Sequence, residues 1–337
     1  MELSKYRSQI YGFSILWIML FHAKAMLGLR YDNFSEMLWW LDSIMKHGNT
    51  GVDVFLFMSG VCLFFSFSRN QDMALYYKKR MQRLFIPVLV IDGWYWAVFT
   101  LILGTGIWGF VSRISLACFW ITGDQQIWYV SLILVLYLLY PFFYAVIFSG
   151  KETHAWLRTV LLTAAVLLVI HSFRMSSPRL FNVYEIALCR FPVFIAGTFA
   201  GRYVSSGKKM PGGIYIAAAA VMAAAVALKC AGLIDSLMIR YWGSIIGLSA
   251  MVLLVFVLKP VSNPVPHRFL SYFGERSLEL YLAHVMITRF YKNNLPALSS
   301  KPRLLEYLVI LIISAGVAEI AHRICGAVSA RLSKTAA

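Results

Sequence analysis

Residues Trp128 to Phe148 read WYVSLILVLYLLYPFFYAVIF, a run without a single charged side chain. A helix needs about 20 predominantly apolar residues to cross a bilayer, and this run has that length. Comparable runs recur at Ile10 to Leu29, Val52 to Phe67, Phe85 to Leu103 and Tyr241 to Leu258. Lipid offers no water to backbone N–H and C=O groups, and open sheet edges cannot sit there, so repeated runs of this kind form helices. The expected fold is an all-α integral-membrane chain of about ten transmembrane helices, at 10–29, 50–68, 84–104, 127–148, 157–173, 188–204, 213–231, 241–258, 276–292 and 304–325. The stretch from Gly106 to Thr122 is apolar but interrupted by Arg113, and reads as an interfacial or re-entrant segment. No Gly/Ser linker and no repeat divides the chain, so 1–337 is taken as a single domain. The alanine-rich Ala217 to Ala227 suits close helix packing.

Composition agrees with a membrane chain. Of the 337 residues, 60% are hydrophobic and 14% charged, where a soluble domain carries roughly a quarter charged residues. The formal charge of +16 would suggest nucleic acid in a soluble protein, but no soluble module is present to bind it. The basic residues punctuate apolar spans, so they set topology and meet anionic lipid headgroups. Lys5 and Arg7, then Arg69, Lys78, Lys79, Arg80 and Arg83, flank the first spans. An even number of spans with these charges inside puts both termini in the cytoplasm. Ala23-Lys24-Ala25 resembles a signal cleavage site, but the run before it is span-length and many spans follow, so it reads as a retained helix. The five cysteines are scattered without metal or redox spacing and read as small buried hydrophobes. The seven histidines also lack ligand spacing, and no metal is expected.

Ionisable groups inside a bilayer are costly and mark functional sites. Here they are His22, Asp53, Asp92, Glu279, His284 and Glu319. His22 lies roughly 22 Å along a helix from Arg7, and its imidazole is suited to take a proton from a hydroxyl. Asp53, in Gly51-Val52-Asp53-Val54-Phe55, opens the second span at similar depth. A carboxylate beside an imidazole fixes its tautomer and raises its basicity; the same Asp also suits a helix N-terminus. Arg80 and Arg83 are three apart and share a helix face, with Lys79 adding charge. Two guanidinium forks on one face suit a polyphosphate, while a plain topology signal has the same composition. Tyr281 and His284 likewise share one face of a later span. For both histidines a packed, hydrogen-bonded core ring is the alternative reading.

In order along the chain stand His22; Gly51-Val52-Asp53 followed by Ser59-Gly60; Arg80, Arg83 and Pro87; Trp128-Tyr129-Val130; Arg190-Phe191 with Phe194-Ile195-Ala196-Gly197; and Ser277, Tyr281, Leu282 and His284. Together they resemble the membrane acyltransferase-3 family over nearly the whole chain. That family places an Arg, ten residues, then the His; here Tyr11 stands at the Arg position, with Arg7 one helical turn earlier on the same face. The resemblance implies an enzyme of the bacterial inner membrane. It would move an acyl group, usually acetyl, from cytoplasmic acetyl-CoA to a hydroxyl of an envelope carbohydrate or lipid-linked glycan. His22 would be the general base, or accept the acyl group in passing, oriented by Asp53. Arg80, Arg83 and Lys79, with Arg7, would hold the donor phosphates. Tyr11, Trp128, Arg190, Tyr281 and His284 would line the pocket or position the acceptor. Two other readings use the same residues. Intramembrane His, Asp and Glu also suit the proton relay of a secondary transporter, though no related halves are visible. A non-catalytic family member is the third, resting on Tyr11.

Overall fold

The computed structural model describes residues 2–27, 44–104, 106–233, 238–294 and 304–334. Every regular element among them is helical. Seven helices are long and apolar enough to cross a membrane: Ile44–Phe67, Met73–Ile102, Trp128–Phe148, Glu152–Ser176, Pro178–Ser205, Arg240–Leu258 and Glu306–Leu332. The other three expected spans are also helical. Arg7–Leu27 is a helix of 21 residues. Ser277–Asn294 carries Glu279, Arg289 and Lys292. Gly212–Cys230 is a helix of 19 residues. Residues 28–29, the end of the first expected span, lie outside the described residues.

Residues 106–122 do not form a span. They make two short helices, Gly106–Ile114 and Cys118–Thr122, and the longer, of nine residues, reaches only about 14 Å. Leu116 (φ 62°) and Gly123 (φ 75°) take left-handed backbone at their ends, where a right-handed helix cannot continue.

The chain's contacts gather into two units, each drawn from three separate stretches. The first comprises Met1–Ser14, Asn49–Met73 and Val135–Gly274; the second comprises Ile15–Gly48, Ala74–Leu134 and Glu275–Ala337. The two units are interleaved along the chain.

In the first unit, helix Gly51–Phe67 packs against Phe191–Ser205. Lipid tails are as apolar as leucine, so such a contact depends on how closely the backbones approach, and small residues permit it. A methyl group on Gly197 would lie 2.1 Å from the Phe57 carbonyl oxygen, and one on Gly60 2.6 Å from that of Phe194. The two glycines of the sequence motifs are therefore the close crossing itself. The alanine-rich helix Gly212–Cys230 packs on Met238–Leu258, where Trp242 Nε1–H donates to the Ala225 carbonyl at 2.7 Å.

In the second unit, Ser277–Asn294 packs along Leu304–Lys334. Arg276 and Glu279 face Glu319 and His322 across that contact, at 2.5 Å and 3.1 Å. The long helix Met73–Ile102 is α-helical to Val88, then widens into π-helical turns at Leu89–Gly93 and Ala97–Ile102. Pro87, inside the helix, donates no backbone hydrogen bond and disturbs the ladder just before the first of them. That turn packs on both Ser277–Asn294 and Leu304–Lys334.

Candidate active site

In the second unit the two motif histidines meet. His22 Nδ1 lies 2.6 Å from His284 Nε2, with the rings stacked 4.9 Å apart. His284 is 2% exposed, and its Nδ1 lies 2.8 Å from the Leu280 carbonyl oxygen. A carbonyl can only accept, so His284 Nδ1 carries the proton. In a neutral ring Nε2 is then the acceptor, and His22 Nδ1–H must be the donor. The neutral pair therefore presents His22 Nε2 with its lone pair, the atom a general base needs. Nothing in the sequence identifies this tautomer, because it is fixed by a carbonyl of another helix.

The same body carries two more of the expected pocket residues. Tyr281 packs edge-on against His284, at 5.7 Å between centroids. On its other side lies Tyr129, at 5.3 Å. Tyr129 neighbours the buried Trp128 and belongs to the Trp-Tyr motif, but site reasoning had singled out Trp128 alone. Lys79, Arg80 and Arg83 lie midway along the helix Met73–Val88. Lys79 and Arg83 are exposed and Arg80 is half-buried, its guanidinium 5.8 Å from the centre of the Tyr76 ring. Two exposed cations beside a partly held guanidinium fork fit a phosphate-bearing ligand arriving from water.

Asp53 and Arg190 belong to the first unit and are brought together there. Asp53 is fully buried. Its Oδ1 accepts from Ser244 Oγ at 2.8 Å and lies 3.4 Å from Arg190 Nε. Arg190 is 3% exposed and sits at the N-cap of Phe191–Ser205; its Nη1 donates to the Ile186 carbonyl at 2.5 Å. Nearby, Arg240 pairs with Glu185 at 2.8 Å. Ser244, Arg240 and Glu185 escaped sequence reasoning, since a Ser at a span interior and a charge at a span edge are unremarkable until their partners are known. The sequence expects Asp53 to orient His22. The groups that hold Asp53 are Ser244 and Arg190, and the group that holds His22 is His284.

Tyr11, at the position of the family Arg, stacks on Phe55 at 5.4 Å and lies 3.8 Å through its hydroxyl from Cys62 Sγ. Arg7 is exposed at the start of its helix.

Several span-length apolar helices make this a multi-pass membrane protein, and it carries a partly buried imidazole pair. The family follows from the sequence as a whole. Residues 11–323 match the acyltransferase-3 model, described as an acyltransferase domain, and the chain belongs to that membrane acyltransferase family. No curated protein and no solved structure matches it.

Proposed function

We propose that the protein transfers an acyl group, acetyl in the simplest case, from a cytoplasmic CoA thioester to a hydroxyl of an envelope carbohydrate or lipid-linked glycan. The observation that carries this reading is the His22–His284 hydrogen bond in a chain of an acyltransferase family. The acceptor hydroxyl gives its proton to His22 Nε2 as its oxygen attacks the thioester carbonyl carbon. The imidazolium that forms is stabilised through Nδ1–H by His284 Nε2, a neutral acceptor in place of the carboxylate more often found there. The tetrahedral intermediate collapses with cleavage of the C–S bond, and the proton on His22 passes to the departing thiolate. An ester and a free thiol result, with no net proton change.

Lys79, Arg80 and Arg83 bind the donor phosphates, and Tyr281, Tyr129 and Trp128 wall the site in this reading. The basic residues that flank the early helices support cytoplasmic termini in a bacterial inner membrane. Asp53 takes the orienting role in this reading, with Arg190 as its charge partner.

The test is turnover of radiolabelled acetyl-CoA by purified protein, wild type beside His22→Ala and Arg83→Ala. Thioester cleavage lost in His22→Ala and demanding more donor in Arg83→Ala supports the enzyme and both assignments. Full activity in His22→Ala overturns the base. Proton-coupled solute uptake into vesicles, with no thioester cleavage under any acceptor, favours transport instead.

A further inference from the structure

Asp92 is fully buried, and neither carboxyl oxygen meets a hydrogen-bond donor among the described residues. Four residues on, Trp96 is equally buried and its Nε1–H meets no acceptor among the described residues. Positions four apart share a helix face. One face of this helix therefore offers a carboxyl and an N–H donor, both dry and both unsatisfied, which is costly inside a membrane. Asp92 lies within the π-helical turn Leu89–Gly93, and such turns are rare and concentrate at functional sites.

The depth of this face follows from its packing. Phe99 meets Phe290 edge-on at 5.9 Å, and the Leu89–Gly93 turn packs on Ser277–Asn294. Were the two helices antiparallel, that turn would lie level with residues beyond Asn294 and not with Ser277–Asn294, on which it packs. They therefore run parallel. Seven residues back from Phe99 is Asp92, and seven back from Phe290 is Ala283, the neighbour of His284. Asp92 thus stands at the level of the imidazole pair.

We propose that Asp92 and Trp96 form the slot that binds the acceptor hydroxyl, the carboxyl receiving its O–H and Trp96 Nε1–H donating to its oxygen. A hydroxyl is the smallest group that both donates and accepts, and so satisfies both orphans at once. The slot rests on the acyltransferase reading for its purpose, but its binding is testable without turnover.

The experiment uses the full chain in lipid nanodiscs and two probes, octyl glucoside and its fully O-methylated analogue, which has no hydroxyl. Asp92 is labelled with a hydrophobic carbodiimide and the product located by mass spectrometry, with Asp92→Asn as the site control. Octyl glucoside is expected to slow labelling several-fold and the methylated analogue to leave it unaltered. No labelling of Asp92, equal slowing by both probes, or slowing by neither overturns the slot. In the kinetic arm, Asp92→Asn and Trp96→Phe each raise the KM for octyl glucoside as acceptor by about tenfold, more than they raise that for acetyl-CoA. An equal rise in both, or none, overturns it. If wild type cleaves no thioester, the acyltransferase reading fails, and the labelling arm still decides the slot.

Discussion

His22 Nδ1 and His284 Nε2 stand 2.6 Å apart, although 262 residues separate them. The Leu280 carbonyl polarises the pair in one direction by claiming the proton on His284 Nδ1. His284 therefore acts on His22 as an acceptor. His284→Ala should lower acyl transfer by about 10²-fold, the lower end of general acid–base contributions. His284→Gln, whose amide oxygen can still accept from His22 Nδ1–H, should recover part of that loss. Transfer rates per unit of membrane-inserted protein measure this; equal activity in the Ala and Gln variants would remove the acceptor role.

The phosphate assignment separates affinity from chemistry. Arg80→Ala and Arg83→Ala should each raise the KM for acetyl-CoA by about tenfold, as loss of a charge-assisted hydrogen bond does, with kcat largely kept. Arg83→Lys should recover less than full affinity, because an ammonium cannot reproduce the fork. Initial rates against donor concentration give the answer, and a fall in kcat at constant KM would place these residues elsewhere in the reaction.

Asp53 and Arg190 form a buried ion pair, and removing one partner leaves the other charge without compensation. Asp53→Ala should therefore destabilise the protein by about 3–5 kcal/mol, whereas the double variant Asp53→Ala with Arg190→Leu should cost less. Unfolding in mixed micelles measures both. Asp53→Asn separates stability from catalysis: a folded protein with full activity would end the proposed orienting role.

The crossing of Gly51–Phe67 and Phe191–Ser205 has no room for a Cβ. Gly197→Ala should lower stability by about 1–3 kcal/mol, since the methyl meets backbone that cannot rotate away. Thermal unfolding of the purified protein reports it, and an unchanged midpoint would mean that the helices can part.

Asp124 ties the stretch 106–122 to the His284 helix by pairing with Arg113 at 2.8 Å and Arg289 at 2.9 Å. Burial alone would push its carboxyl up, but the Arg289 hydrogen bond and charge, the Gln126 N–H and Arg113 outweigh it and hold it below its ordinary value of 3.8. A depressed carboxyl stabilises the fold above its unfolded value and loses that contribution as pH falls through the folded one. Hydrogen exchange across residues 106–127 should thus stay slow from neutral pH down to about 4 and rise only in more acid solution. Asp124→Asn should show fast exchange already at pH 7. Similar exchange in the two proteins at pH 7 would dismiss the tie.

The sequence by itself determined that the chain is helical and membrane-embedded, because span length and the ban on unsatisfied backbone in lipid act locally, as the run Trp128–Phe148 shows. It also determined which residues are chemically exceptional: His22, Asp53, Asp92 and His284 stand out wherever they fold, since charge in an apolar run is costly anywhere. The tertiary structure alone decided the partners. That His284 holds His22, that Ser244 and Arg190 hold Asp53, and that Gly60 and Gly197 face each other's helices depends on how distant helices cross. Such crossings are set by side-chain packing over many contacts of about 0.1–0.2 kcal/mol each, and no local pattern of residues encodes that sum.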